Sequence, residues 1–486
     1  MGFSSSSETS SDENHNQKPS QASVISLVVI ISLTRIGHGL FMSLSGPTLL
    51  YLVDNVNGTV SQVSAMFTGR SAGFFVGTIL FGLVKKRWPK YKPLTTIAVQ
   101  IVIAGVLVLI VPWLTNLALL IVDTTIIGLM FGFFDAGLQS IYLQLWGEKG
   151  SRPYLQSFHF FFGVGAFLAP IISAPFLEMA DQVSDDDTCP RTVDGVSVTT
   201  VSYNDTSSPT SPSPYEGLNP VSWTYIISGA YTIVIGVIMF VSAVLRIEDK
   251  IKTNHEASAE SRREEPIRDV VWLFIPIMIY YFMAASVETV YQSYIYSIAL
   301  CSGLQFSVRY ELLMIRDATT LNTMFWIGFM VGRGSGIFYA KYFTPKTIII
   351  FDLITTTLAL IIMSIFGSYI AIVPWAVSIF YGLTVATLYS SGISWTSNVT
   401  NVSSTYILIF GAGNTVGVMT MSPLAGALFD MSPFNVIYHI LAMSICNDLV
   451  FLWMMWIGRR HVKKLNISES KLNLAEESEK NLKTRL

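Results

Sequence analysis

Four polar side chains stand inside or at the edge of two apolar runs between Gly128 and Pro175. Asp135 and Gln139 lie in the first run, Gln156 and His159 in the second, and a charged hinge, Trp146–Tyr154, separates them. Asp135 and Gln139 are one helical turn apart and share a face, as do Gln156 and His159 at i and i+3. An ionisable group in hydrocarbon costs about 2.5–3.5 kcal/mol or more, so by default it faces a cavity or a partner. Several hydrogen-bonding groups with aromatic rings among them suit a polyol such as a sugar. The competing use is to hold helices together, at about 1–2 kcal/mol per bond. Four such groups on adjacent spans favour a binding site. The pattern returns at Glu288 and Gln292, at i and i+4 among Tyr291, Tyr294 and Tyr296. Glu288 is either the second-half acid for ion coupling or substrate bonding, or the partner of an intramembrane arginine such as Arg35 or Arg70. Asn322, Trp395 and Asn414 are expected wall residues. Arg333 and Asp352 are expected to form an ion pair that breaks and reforms with gating. His38, beside Arg35, is either a titrating group or a structural one.

The elements that must position these residues are membrane helices. The 486 residues are 51% hydrophobic and 13% charged, where a soluble chain carries about 25% charge. A span needs about 20 apolar residues. Twelve spans are predicted: 24–53, 62–84, 94–114, 118–144, 156–178, 222–245, 270–299, 319–340, 347–367, 373–396, 405–430 and 434–458. The fold class is thus an all-α polytopic membrane protein of twelve transmembrane helices in two six-helix halves. The boundaries are a disordered cytoplasmic N-terminus at 1–23, a first half at 24–245 with an outer loop at 179–221, a cytoplasmic linker at 246–269, a second half at 270–458 and a cytoplasmic tail at 459–486. With both termini cytoplasmic, 24 Lys and Arg residues fall inside and three outside, as the positive-inside rule requires. The outer loop carries the glycosylation sequon Asn204-Asp205-Thr206, and Asn57-Gly58-Thr59 is a second outer sequon hugging the membrane. Cys189 and Cys301 both fall outside, where they either pair or stay as thiols. A faint echo, Gly69-Arg70-Ser71-Ala72-Gly73 against Gly332-Arg333-Gly334-Ser335-Gly336, suggests duplication. The two arginines sit at different depths, however, so they are not equivalent sites. Gly163-Val164-Gly165 reads as close helix packing, compatible with a rocking helix.

Composition excludes several classes. Net charge is −2 with no basic stripe, so nucleic acid is not an expected partner. No HExxH, GxSxG, Walker or Cys–His pattern is present, so no enzyme and no self-contained ATP-driven pump is expected. Transport would run on a gradient. The expected partners are the bilayer and a small solute, with no cofactor.

Three stretches carry a resemblance: Gly132-Phe133-Phe134-Asp135-Ala136-Gly137, Leu145-Trp146-Gly147-Glu148-Lys149, and Gln156-Ser157-Phe158-His159-Phe160 followed by Gly165-Ala166-Phe167-Leu168-Ala169-Pro170. In their order and spacing the chain resembles a major facilitator superfamily transporter over residues 24–458. The nearest resemblance is to the sodium-dependent glucose transporter group, also called major facilitator superfamily domain-containing protein 4, and more distantly to fucose–proton symporters. The resemblance implies alternating access, glucose or another hexose as solute, sodium as co-substrate, and Asp135 and Gln156 as coupling and sugar-binding positions. It departs from the superfamily pattern at Gly82–Trp88, which lacks the usual acid, and from the fucose symporters at Phe41–Leu50, which has none. The expected membrane is the plasma membrane. Two alternatives stand beside the hexose reading. One is an accessory or sensing protein of the same fold; the other is a carrier of urea, a nucleoside or an organic anion. A free arginine in the cavity would favour an anion.

Overall fold

The computed structural model describes residues 21–88, 91–150, 152–181, 191–193, 196–198, 218–245, 267–302, 314–339, 342–400 and 404–483. The side chains of residues 146–150 and 152–156, Gln156 among them, lie outside this description, as do Asn204, Cys189 and residues 246–266 of the linker.

Helices begin where the sequence supplies a start signal. The first, α1 (Gln21–Leu44), is followed by a short α2 (Leu49–Asn55). The span expected at 24–53 is therefore broken at Ser45–Thr48, where Gly46-Pro47 interrupts it. Proline supplies no N–H, and its ring disfavours a helical residue before it. Asn57 closes α2 in the left-handed region at φ 50°, which asparagine tolerates. The helix α3 (Val60–Arg87) starts on a reciprocal capping box between Thr59 and Gln62. Then come α4 (Pro93–Ile110), α5 (Leu117–Gly150), α6 (Arg152–Asp181) and α7 (Ser222–Val244). The expected hinge at Trp146–Tyr154 is helical at all of its described residues, 146–150 and 152–154. A two-stranded hairpin, β1 (Arg191–Val193) with β2 (Val196–Val198), lies in the loop between α6 and α7. The second half consists of α8 (Ile267–Cys301), α9 (Met314–Tyr339), α10 (Pro345–Phe366), α11 (Ile372–Val399), α12 (Ser404–Met431) and α13 (Asn435–Lys483). Thr344 caps α10, and proline stands at the first position of both α4 and α10.

Each of the twelve expected spans corresponds to one of these longer helices. On their described residues, ten are long and apolar enough to cross a membrane. The other two are α9, which carries Arg316, Asp317 and Arg333, and α12, which is rich in glycine, serine and threonine. Outward faces are apolar: Val99, Ile103, Val106 and Ile110 on α4, and Leu449, Leu452 and Trp456 on α13, are all exposed. In water such faces would be aggregation surfaces; against lipid they need no cover.

Packing repeats between the halves. In the first, α1 packs on α6, α3 on α5 and α4 on α7; in the second, α8 packs on α12, α9 on α11 and α10 on α13. In span order these are pairs 1·5, 2·4 and 3·6, then 7·11, 8·10 and 9·12. The halves meet along α3 against α12 and α6 against α9, a pairing that the same two-fold exchanges. Small residues permit these approaches. A Cβ on Gly128 of α5 would stand 2.0 Å from the Arg70 carbonyl oxygen of α3.

One end of the interface is tied shut. The Ser61 amide donates to Asp430 Oδ2 at 2.9 Å, and Thr68 Oγ1 donates to the Met419 carbonyl at 2.6 Å. The Tyr294 hydroxyl bridges Ser64 Oγ, at 2.5 Å, and the Ser422 carbonyl, at 2.7 Å. These bonds join the N-terminal half of α3 to the C-terminal halves of α12 and α8.

Candidate functional site

Arg35 on α1 organises the first half of the site. Its Nη1 donates to Asp135 on α5 in a buried ion pair, with side chains 4% and 13% exposed. The same nitrogen donates to His38 Nδ1 at 2.8 Å, and Nε donates to the Phe158 carbonyl at 3.4 Å. The guanidinium lies 4.0 Å from the Phe158 ring centroid and 5.1 Å from that of Phe162. Gln139, one turn beyond Asp135, donates to Asp135 Oδ2 at 2.6 Å. The face shared by Asp135 and Gln139 is thus one hydrogen-bonded unit. A backbone contact holds α6 in place: a Cβ on Gly165 would stand 2.0 Å from the Ile36 carbonyl oxygen. His38 packs among Phe131, Phe134 and Phe162, and its Nε2 has no partner.

The second half contributes Glu288 and Gln292 on α8, and Asn322, Trp326 and Arg333 on α9. Arg333 lies within electrostatic range of Glu288 and Tyr389 and stacks on Phe329 at 4.7 Å. Two residues link the halves. His159 on α6 is within electrostatic range of both Arg35 and Arg333, and Tyr389 on α11 of both Asp135 and Arg333. Asp135, Gln139, His159, Glu288 and Gln292 all keep partial exposure in mid-helix. Because apolar lipid-facing positions surround the bundle, that exposure points inward.

Beside these charges is a cluster of unmet polar atoms. Asn322 Nδ2 donates to the Gln292 carbonyl at 3.2 Å, but Asn322 Oδ1, Gln292 Oε1 and Trp326 Nε1 are buried without partners among the described residues. Asn322 and Trp326 stand at i and i+4 on α9 and are fully buried. The Trp326 ring is edge-on to Phe325 at 5.0 Å and to Phe329 at 5.2 Å, and Phe162 approaches it from α6 at 6.4 Å. The α1–α2 break closes over this cluster. Gly46 lies so near that a Cβ there would be 2.6 Å from the Gln292 carbonyl oxygen and 3.2 Å from Asn322 Nδ2. Each unmet buried polar group costs about 1–3 kcal/mol, so three so placed concentrate uncompensated polarity on α8 and α9.

Several expected residues sit elsewhere. Arg333 and Asp352 form no ion pair: Asp352 accepts a hydrogen bond from Thr387 on α11, and the acid facing Arg333 is Glu288. Trp395 packs against α13, with Gly458 against its ring and Phe451 at 6.2 Å, so it is a packing residue and not part of the wall. Asn414 is partly exposed on α12 and makes no hydrogen bond among the described residues. Asn57 is exposed on the turn between α2 and α3. Cys301 is disulfide-bonded and Cys446 is free. The intramembrane arginine near Glu288 is Arg333, within electrostatic range, and not Arg35, which Asp135 takes, or Arg70. Trp326 was not anticipated; the only sequence signal for it is its i+4 spacing from Asn322.

Comparison with known proteins adds a second line of observation. A family model described as Major Facilitator Superfamily matches residues 31–411. Sodium-dependent glucose transporter 1 of Homo sapiens is 28% identical over 424 residues, 86% of this chain and 76% of that protein. Sodium-dependent glucose transporter 1A of Mus musculus is 26% identical over 421 residues, 86% of this chain and 93% of that one. Major facilitator superfamily domain-containing protein 4A of Homo sapiens is 23% identical over 449 residues, covering 81% and 84%. Among solved structures, the xylose transporter XylE from E. coli in a partially occluded inward open conformation superposes with a TM-score of 0.63 at 12% identity, covering 89% of this chain and 98% of that one. The nucleoside transporter NupG superposes with a TM-score of 0.61 at 10% identity, covering 89% and 99%. At these identities the structural matches show the fold alone.

Proposed function

This chain belongs to the Major Facilitator Superfamily and is a secondary transporter, and on that premise we propose that it carries a hexose by alternating access, coupled to sodium. The observation that carries the reading is the set of three unmet buried polar atoms on Gln292, Asn322 and Trp326, placed among aromatic rings between the halves. A hexose presents hydroxyls that donate and accept, and a C–H face that stacks on aromatic rings. Gln292 Oε1 and Asn322 Oδ1 would accept from hydroxyls, and Trp326 Nε1 would donate to one. Gln139, Gln156, His159 and Asn414 would complete the wall from other helices. The curated relatives named as sodium-dependent glucose transporters support the same solute and ion.

Coupling falls to Glu288 in preference to Asp135. Asp135 is already neutralised by Arg35 and held by Gln139. Glu288 makes no hydrogen bond among the described residues and shares Arg333 only at a distance, so an entering cation would complete its neutralisation. In the orientation expected from the basic loops, with cytoplasmic termini, the end tied by Ser61, Ser64 and Thr68 is the outer one. The chain then rests with its outer side closed. The proposed membrane is the plasma membrane, with Asn57 and Asn204 as outward sequons.

Uptake of labelled hexoses into proteoliposomes, with and without an inward sodium gradient, tests this. Accumulation that needs sodium is expected. Uptake that only equilibrates would remove the coupling, and no uptake of any hexose by folded protein would overturn the solute.

A further inference from the structure

Of three intramembrane arginines, two have an acid at hand. Arg35 is paired with Asp135, and Arg333 has Glu288 within electrostatic range. Arg70 on α3 has none among the described residues. Its side chain is 4% exposed and makes one hydrogen bond among the described residues, from Nη1 to Ser45 Oγ at 3.1 Å; Nε is buried without a partner. Around it are the Phe67 ring, 5.1 Å from the guanidinium carbon, and, within electrostatic range, Tyr225 of α7 and His38 of α1.

A guanidinium keeps its proton and offers five N–H donors. Buried in a bundle with one donor engaged and no counter-charge, it is among the most costly arrangements a membrane protein can hold. The surroundings are suited to a small anion. Ser45 stands in the α1–α2 break, where its Oγ accepts from Arg70 and itself donates to the Met42 carbonyl at 3.1 Å. Tyr225 shares a 2.7 Å hydrogen bond with Thr48, just past the same break. Ser43 Oγ, two residues before Ser45, and Ser228 Oγ, one turn beyond Tyr225, are both buried without partners. A fixed guanidinium with N–H donors to spare, beside neutral hydroxyls and aromatic rings, attracts a monovalent anion, and its charge repels a metal ion.

We propose that Arg70, with Ser45, forms an anion site between α3, the α1–α2 break and α7 that takes chloride or a carboxylate. The site shares the α1–α2 break with the Gln292–Asn322–Trp326 cluster but none of its residues, and it does not rest on the hexose reading. Occupancy would neutralise Arg70 and tie the α1–α2 break to α3, next to the bonds that close the α3–α12 interface. An anion there would therefore favour the closed end.

The test is the thermal unfolding midpoint of the purified full chain. Sodium chloride is titrated against sodium methanesulfonate at constant sodium and ionic strength, and sodium acetate is titrated in a parallel series. A saturable, chloride-dependent rise is expected, because a ligand bound only by the folded state stabilises it by mass action. In Arg70→Gln the half-saturating concentration should rise about tenfold or more, the loss expected for a charged hydrogen-bonding partner. Ser45→Ala removes the neutral partner and should weaken binding by a smaller factor. It also keeps the test available if Arg70→Gln does not fold. Acetate that competes with chloride identifies a carboxylate subsite; inert acetate identifies a halide site. No saturable dependence on either anion overturns the proposal, as does a dependence unchanged in Arg70→Gln or, where that variant does not fold, in Ser45→Ala.

Discussion

Removing the Asp135 charge leaves Arg35 buried beside an uncharged amide, with His38 and the Phe158 carbonyl as its remaining partners. Breaking one side of a buried pair costs about 3–5 kcal/mol, much of it the stranded charge. Asp135→Asn is therefore expected to lower the unfolding midpoint sharply, while Arg35→Gln with Asp135→Asn recovers most of the loss. If Glu288 is the coupling carboxylate, that double variant still accumulates hexose with sodium. Glu288→Gln, in contrast, only equilibrates it. Sodium-driven accumulation by Glu288→Gln, measured in proteoliposomes, would return coupling to Asp135. Trp326→Phe deletes one donor and keeps most of the ring. It should raise the hexose KM about tenfold, the worth of one hydrogen bond to a buried group, with a small change in midpoint. An unchanged KM would take Trp326 out of the sugar site. At this scale the sequence was informative where a polar residue stood in an apolar run, as at Asp135, Gln139 and Glu288. It was uninformative where partners had to be chosen. Spacing puts Arg333 and Asp352 near one end of adjacent spans, but only three-dimensional packing turns Asp352 to Thr387 and Arg333 to Glu288. Trp326 sits in a run with Phe325 and Phe329 that reads as core.

Helix contacts here depend on backbone approach more than on side-chain bulk. The α3–α5 contact puts Gly128 against the Arg70 carbonyl, so Gly128→Ala must push the two helices apart. Overpacking of this kind costs about 1–3 kcal/mol, and here it would also displace Arg70. Gly82→Ala on the same α3 meets nothing within 4 Å and should be neutral. Paired unfolding midpoints of the two variants check this; equal values would mean that the α3–α5 contact is looser than its geometry. Hydropathy located the elements because lipid imposes a length on every helix. It did not reveal the break at Ser45–Thr48, because Gly46-Pro47 sits within a run apolar enough to pass for one continuous span. That break matters: it brings Ser45 to Arg70, and Gly46 against Gln292 and Asn322.

The six-plus-six plan was legible from the long charged linker, which falls between the sixth and seventh spans. Which helices meet across the two-fold was not, because a membrane helix carries no hydrophobic period strong enough to name its neighbour. The structure supplies that as α3 on α12 and α6 on α9. If the halves rock about a central site, the contact through Ser61 and Asp430 must part once per cycle. Cysteines placed by Ser61→Cys and Asp430→Cys, in a Cys446→Ser background that removes the free thiol, would hold that end shut once oxidised. Hexose uptake is then expected to fall to background on oxidation and to return on mild reduction, while either single cysteine variant transports normally. The control is the fraction of chain cross-linked, read by mass spectrometry. Full uptake by fully cross-linked protein would mean that this end does not open during transport, and that the solute path runs elsewhere than between the halves.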